Sequence, residues 1–288
     1  MNDFTTFADQ WKKLNEESQI KPVSFQDCLP QMELHRQGKL IEIVPPPLHS
    51  LSGAFAWALE RLYIFSGYPN SGKTEILRYM ANHYTLATGH GCAMFTPEAT
   101  TAIFYDELLI QTHSLIGSDA QSHIQNHWRI LEVEEGMPNV SQLVEVMKEL
   151  REKQNYRMFI IDPMNWVASD SWEGLRIALT VLKQFAKKTQ SIVCYVEHPK
   201  TPQANKDGEY PKVSSFLINN GVMHWNKVDC MCLIHRERSL DVYGNAKSSE
   251  SDTILFEVVK MKDQKYLGRP GSVQLRYHWQ THSYSDMF

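Results

Sequence analysis

The eight residues Gly67-Tyr-Pro-Asn-Ser-Gly-Lys-Thr74 carry the spacing G-x-x-x-x-G-K-[ST]. Glycines at 67 and 72 let backbone N–H groups turn inward onto phosphate oxygens, and a helix starting at the end of the loop adds its positive pole. Lys73 would neutralise β- and γ-phosphates and Thr74 would offer a hydroxyl to Mg²⁺, with Pro69, Asn70 and Ser71 completing the cradle. ATP with Mg²⁺ is therefore the expected ligand. Asp162 closes the apolar run "MFIID", which puts a carboxylate at the C-terminal end of a strand, where open α/β sheets bind ligands. It is expected to hold the Mg²⁺ hydration shell, the alternative being a helix cap. Glu98, in "MFTPEAT", could polarise a water for attack, or could be an ordinary first-turn helix acid. His198, after "SIVCYVE", could hydrogen-bond a γ-phosphate, or could be a turn residue before proline.

These groups need strand ends and helix starts to position them, and the sequence supplies both in alternation. "RLYIFSG", "GCAMFTPE", "HWRILEV", "RMFIID" and "SIVCYVE" read as strands. The segments "GKTEILRYMANHYTLAT", "ATTAIFYDELLIQT", "NVSQLVEVMKELREKQ" and "WEGLRIALTVLKQFAKKT" read as helices between them. Such alternation specifies an α/β fold, a mostly parallel sheet with helices on both faces. Beyond residue 198 it stops, and "VDCMCLIH", "DTILFEVVK" and "SVQLRYH" read as antiparallel strands added at the edge. Ahead of the sheet, residues 3–20 place Phe4, Phe7, Trp11 and Leu14 on one helical stripe, followed by irregular chain ending in Pro45, Pro46 and Pro47. The division expected is an arm over 1–47 and an ATPase domain over 48–288.

The 288 residues are 42% hydrophobic with a formal charge of -4, so any nucleic-acid contact must come from a local patch. No apolar run spans a bilayer and the N-terminus lacks a secretory pattern, so a soluble, cytoplasmic protein is expected. Cysteines 28, 92, 194, 230 and 232 lie mostly in apolar runs without ligand spacing and read as buried free thiols.

The cradle, Glu98, Asp162 and His198, in that order on successive strands, resemble the RecA-like motor domain of DnaB- and Twinkle-type replicative hexameric helicases, of the kind carried by bacteria and phages. The resemblance runs from Leu48 to the C-terminus: "FIIDPMNW" looks like the Walker B segment, and "VEHPKTP" like the segment ending in a phosphate-sensing His. "NNGVMHWNKVDCMCLIHRE" looks like the one that carries a DNA-binding loop into the next strand. It implies a ring, usually homo-hexameric, that hydrolyses ATP between neighbours and pulls single-stranded DNA through its centre, with primase or other replication proteins as partners. The DNA-facing stretch would run from Pro199 to His224, with Lys200, Lys206, Lys212, Asn219, Asn220 and Gly221 as candidates. Lys260 and Lys262 occupy the family's Lys-x-Arg positions that reach into the neighbour's ATP site, lysine standing where the finger arginine is expected. Lysine keeps the charge but loses the bidentate fork, leaving Arg269 as a substitute candidate. Arg236 and Tyr277 match positions that sandwich the base; alternatively they are a strand end and a strand aromatic. The first 50 or so residues are too few for a primase domain or a full helical collar, so for a complete chain a stand-alone motor core is expected. Two other readings remain: a RecA/RadA/KaiC-like recombination or regulatory ATPase, and a weakly active nucleotide-binding loader.

Overall fold

The computed structural model describes residues 20–168, 171–200, 211–236 and 252–287. Residues 3–19 of the expected N-terminal helix, and Lys206, lie outside the described residues.

Strand β3 (Leu62–Ser66) is buried at every position, as a strand covered on both faces must be. Its pleat sends Tyr63 and Phe65 into one apolar cluster and Leu62 and Ile64 into the other. The first cluster takes Ile76, Leu77 and Met80 of α2 (Lys73–Thr88), with Phe104 and Leu108 of α3 (Thr101–Ile116). The second takes Leu143 and Met147 of α5 (Val140–Gln154), with Leu175, Leu179 and Leu182 of α6 (Trp172–Thr189). The expected α/β sandwich, with helices on both faces, is what forms.

Among the described residues, nine strands make the main sheet in the order β11-β10-β9-β8-β3-β7-β6-β4-β5. β4 (Gly91–Phe95), β5 (Trp128–Leu131), β6 (Tyr156–Ile161) and β7 (Ile192–Glu197) run parallel to β3. "VDCMCLIH" departs from expectation: its strand β8 (Cys230–His235) is parallel to β3, with Tyr63 opposite Cys230. The chain between β7 and β8 carries a short helix, α7 (Gly221–Lys227), and such a crossover returns a strand in the same direction. Antiparallel pairing begins one strand later, at β9 (Thr253–Met261), and continues through β10 (Gly271–His278) and β11 (Ser283–Asp286). Cys230 and Cys232 share one face of β8 with their sulfurs 3.6 Å apart; both are buried and all five cysteines are free thiols.

Four features are not apparent in the sequence. α1 (Phe25–Arg36) starts from Ser24, whose side chain caps the helix in a reciprocal box with Asp27, yet buries no residue. β1 (Ile43–Val44) pairs antiparallel with β2 (Trp57–Ala58), so the chain joins the core at Val44, just ahead of the three prolines. α4 (Ala120–His127) forms in the polar stretch "AQSHIQNH" and buries only Ala120 and Ile124. A four-residue helix, α8 (Gln264–Leu267), follows β9. No helix among the described residues is long and apolar enough to cross a membrane.

Candidate nucleotide site

β3 delivers the chain to Gly67 at its C-terminal end. A Cβ there would lie 2.4 Å from the Ile234 carbonyl oxygen and 2.5 Å from Ser71 Oγ, so only glycine lets the loop turn this close to β8. Asn70 (φ 60°) and Gly72 (φ 88°) take left-handed backbone, which curls the loop into a concave row of N–H groups ahead of α2. Lys73 opens α2 almost buried, and its ammonium donates to the Tyr68 carbonyl at 2.9 Å, across the mouth of that concavity.

The next turn brings in the second carboxylate. Thr74 Oγ1 donates to Asp162 Oδ2 at 2.6 Å, so the two expected Mg²⁺ ligands, from α2 and from the end of β6, already touch. Asp162 caps no helix; its N–H donates to the Phe95 carbonyl, extending the β4–β6 ladder by one residue. Burial pushes its carboxyl up to about 6 against the opposing pull of the Thr74 bond and Lys73, and Glu98 adds to the rise. A divalent cation would relieve that buried charge, so the donor set fits Mg²⁺.

Glu98 is exposed and lies two residues ahead of Thr100, the cap of α3, hence outside the helix's first turn. Its carboxylate is held instead by Trp166, whose indole N–H donates at 3.1 Å, a partner missed in the sequence although it ends the Walker B-like segment. His198 faces the same cleft; burial and the Lys73 charge lower its pKa, while Glu98 opposes them. Lys73, Thr74, Glu98, Asp162 and His198 together line one cleft of about 340 Å³, within the size range of small-molecule sites. These five expected residues are therefore brought together.

Arg236 leaves the end of β8 against the loop, its Nη2 3.5 Å from where a Cβ on Gly72 would stand. The Tyr277 expectation needs correction. Its ring is only 3% exposed, packed on Tyr284, and its hydroxyl donates to Glu75 Oε2 at 3.0 Å, so no face is open to a base. Trp279, two residues on, is 53% exposed, and the Arg236 guanidinium lies over its ring at 5.7 Å. The stretch "LRYHW" contains both aromatics, and only burial separates them. Trp279→Ala is expected to weaken ATP binding by about tenfold, as the loss of one stacked base, and Tyr277→Phe to leave it within about twofold; titration with a fluorescent ATP analogue measures both.

Lys260 and Lys262 stand elsewhere. β9 is antiparallel to β8, with Lys260 opposite Met231 and Met261 opposite Cys230, so both lysines sit at the end of the sheet away from Arg236. Six strand residues separate the two ends, about 20 Å, so neither lysine reaches this chain's own cleft. Lys262 Nζ lies 3.3 Å from Asp229 Oδ1, and the Lys260 ammonium contacts the Trp225 carbonyl and its ring. Arg269 is in neither place: its N–H donates to the Gly53 carbonyl at 2.7 Å, and it lines a separate groove of about 790 Å³ with Tyr266. Lys200 is exposed beside the bridge between Pro199 and Ile218. Lys212 is already engaged, 2.9 Å from Glu257, and is not a free cation. Asn219, Asn220 and Gly221 lead into α7, Asn220 with left-handed backbone (φ 53°) and Gly221 packed so that a Cβ would meet the Ser215 carbonyl at 2.4 Å.

A parallel sheet with antiparallel edge strands, a glycine cradle between β3 and α2, and acids at neighbouring strand ends define a RecA-like P-loop fold. Comparison with solved structures finds this fold in other chains. One of them, described as an ATPase domain, superposes with a TM-score of 0.67 at 15% identity, over 93% of this chain and 100% of that one. A DnaB-like replicative helicase, described with its interactions with primase, superposes with a TM-score of 0.67 at 14% identity, over 98% of this chain and 71% of that one. Neither protein-family models nor curated protein sequences match the chain.

Proposed function

We propose that the chain is the motor subunit of an ATP-driven helicase or translocase that moves on single-stranded DNA, with ATP held between neighbouring copies in a ring. One observation carries this reading: a cleft with a cradle, two acids and a histidine at one end of the sheet, and a pair of lysines at the other end, out of reach of that cleft, as a site completed by a neighbour requires.

In this reading Lys73 leaves the Tyr68 carbonyl for phosphate oxygens, while Thr74 and Asp162 hold the metal. A Mg²⁺ held by Thr74 and Asp162 would supply positive charge against the negative charge that develops on the phosphates. Glu98, fixed by Trp166, accepts a proton from the attacking water. His198 sits where it can hydrogen-bond the γ-phosphate. Arg236 and Trp279 offer a stacking face to the base. Lys262 supplies charge to the neighbour's site but no bidentate fork, which favours slow turnover.

α1 supports assembly. It leaves Phe25, Leu29 and Leu34 exposed, and a 12-residue helix has little stability alone. Its side-chain tie to the domain among the described residues is the 2.7 Å contact of His35 Nε2 with Tyr266 Oη. A neighbouring copy would cover it. Changing Phe25, Leu29 and Leu34 together to serine should shift the protein from assembly to monomer in sedimentation velocity without changing the melting profile of the monomer; persistence of the assembly refutes the role. Replication partners such as primase are proposed by analogy of fold alone.

Unwinding of a forked duplex separates this reading from a recombination-type ATPase. ATP- and Mg²⁺-dependent strand separation that is lost in Lys73→Ala supports the motor. A wild-type protein that hydrolyses ATP on DNA yet never separates the fork sinks the helicase reading.

A further inference from the structure

His224 is a fully buried histidine outside the cleft, on α7 directly after the Asn219–Asn220 turn. Its Nδ1 lies 2.8 Å from the hydroxyl of Tyr195, a β7 residue. Its other nitrogen, Nε2, hydrogen-bonds none of the described residues and stands 3.9 Å from Glu197 Oε2. The second oxygen of that same carboxylate, Oε1, accepts the His198 N–H at 3.2 Å. Between them lies a cavity of about 20 Å³, also lined by Asn165, Asn219 and Asn220, with room for one water.

Two features make this arrangement more than packing. A buried polar atom without a partner is costly, and here a small movement of Glu197 would relieve the cost. Burial also holds His224 near a pKa of about 4, so at neutral pH the contact is between a carboxylate and a neutral ring and is easily broken and remade. Glu197 thus touches the backbone of a cleft residue on one side and the root of the 215–221 segment on the other.

We propose that Glu197 and His224 are positioning residues that couple the nucleotide cleft to the segment 215–221. A shift of His198 displaces Glu197, which closes or opens its contact to His224, directly or through one water, and so moves Asn219 and Asn220. The proposal rests on the reading of the cleft as an ATP site and of this segment as DNA-facing. A purely structural Tyr195–His224 bond would support the fold and remain indifferent to which nucleotide is bound.

The test is the affinity of the full chain for fluorescein-labelled oligo-dT, measured by anisotropy with a non-hydrolysable ATP analogue and again with ADP. The wild type should show a ratio between the two of about tenfold or more, the usual range of coupled sites. In His224→Gln the ratio should fall to about one, with affinity for the ATP analogue retained. Tyr195→Phe, which keeps the shape of the core, should reduce the ratio and carries the test if His224→Gln fails to fold. Adding Glu197→Gln to His224→Gln should cost nothing further, because both act on one contact. An unchanged ratio in both His224→Gln and Tyr195→Phe would overturn the link and leave the ATP and DNA reading standing. A wild type whose DNA affinity ignores the nucleotide would overturn both.

Discussion

Glu98→Gln is expected to lower ATP turnover by about two to four orders of magnitude, the range associated with loss of a general base, while nucleotide affinity stays within a few-fold. The geometry predicts this separation. Glu98 stands on the loop after β4, exposed to the cleft, with its carboxylate aimed by the Trp166 indole and not by a helix. Glutamine presents the same carbonyl oxygen to Trp166, so placement survives, and what disappears is the ability to take a proton. In the proposed reading, binding rests on other groups: the cradle, Lys73, and the Thr74–Asp162 pair. Single-turnover hydrolysis beside equilibrium binding of a fluorescent analogue separates the two effects. Full turnover in Glu98→Gln would mean that the base lies elsewhere.

Asp229→Ala is expected to cost about 3–5 kcal/mol of stability, the penalty for stripping one partner from a buried ion pair, and to lower the melting temperature by on the order of 10 °C. Asp229 is buried at the head of β8, where its carboxylate accepts the Leu62 N–H at 2.9 Å and contacts the ammonium groups of both Lys183 and Lys262. Alanine would leave one buried N–H without its acceptor and two ammoniums without their anion. The positive charges of Arg61, Lys187 and Lys260 also bear on Lys183, which deepens the loss. Asp229→Asn keeps an acceptor for Leu62 and should lose less. Because Asp229 also positions Lys262, either variant should slow ATP turnover only in the assembled protein, and thermal melting beside sedimentation-resolved ATPase separates the two consequences.

The difference between these sites shows what the sequence makes visible. The cradle, Asp162 and Glu98 are legible because each comes at or just past the end of a short, mostly apolar run, the mark of a strand buried on both faces. An apolar run carries no direction, however, so β8 reads equally well as antiparallel; its true sense is set by the crossover through α7. α1 and α4 are invisible because helices that bury no residue or only two leave no periodic stripe. The burial of Tyr277 is not legible because it depends on Glu75, which arrives from α2, and on packing against Tyr284 of the following strand. The remote position of Lys262 follows from the antiparallel register of β9 on β8. That register keeps Lys262 out of this chain's own cleft.

An ATP site completed by a neighbouring copy and coupled to single-stranded DNA is tested most directly by steady-state ATPase of the wild-type chain with and without single-stranded DNA, across a wide range of protein concentration. Stimulation by DNA that rises more steeply than linearly with protein concentration is predicted, since sites become complete only as copies assemble. Absence of stimulation at every concentration, in protein that binds ATP, would contradict it.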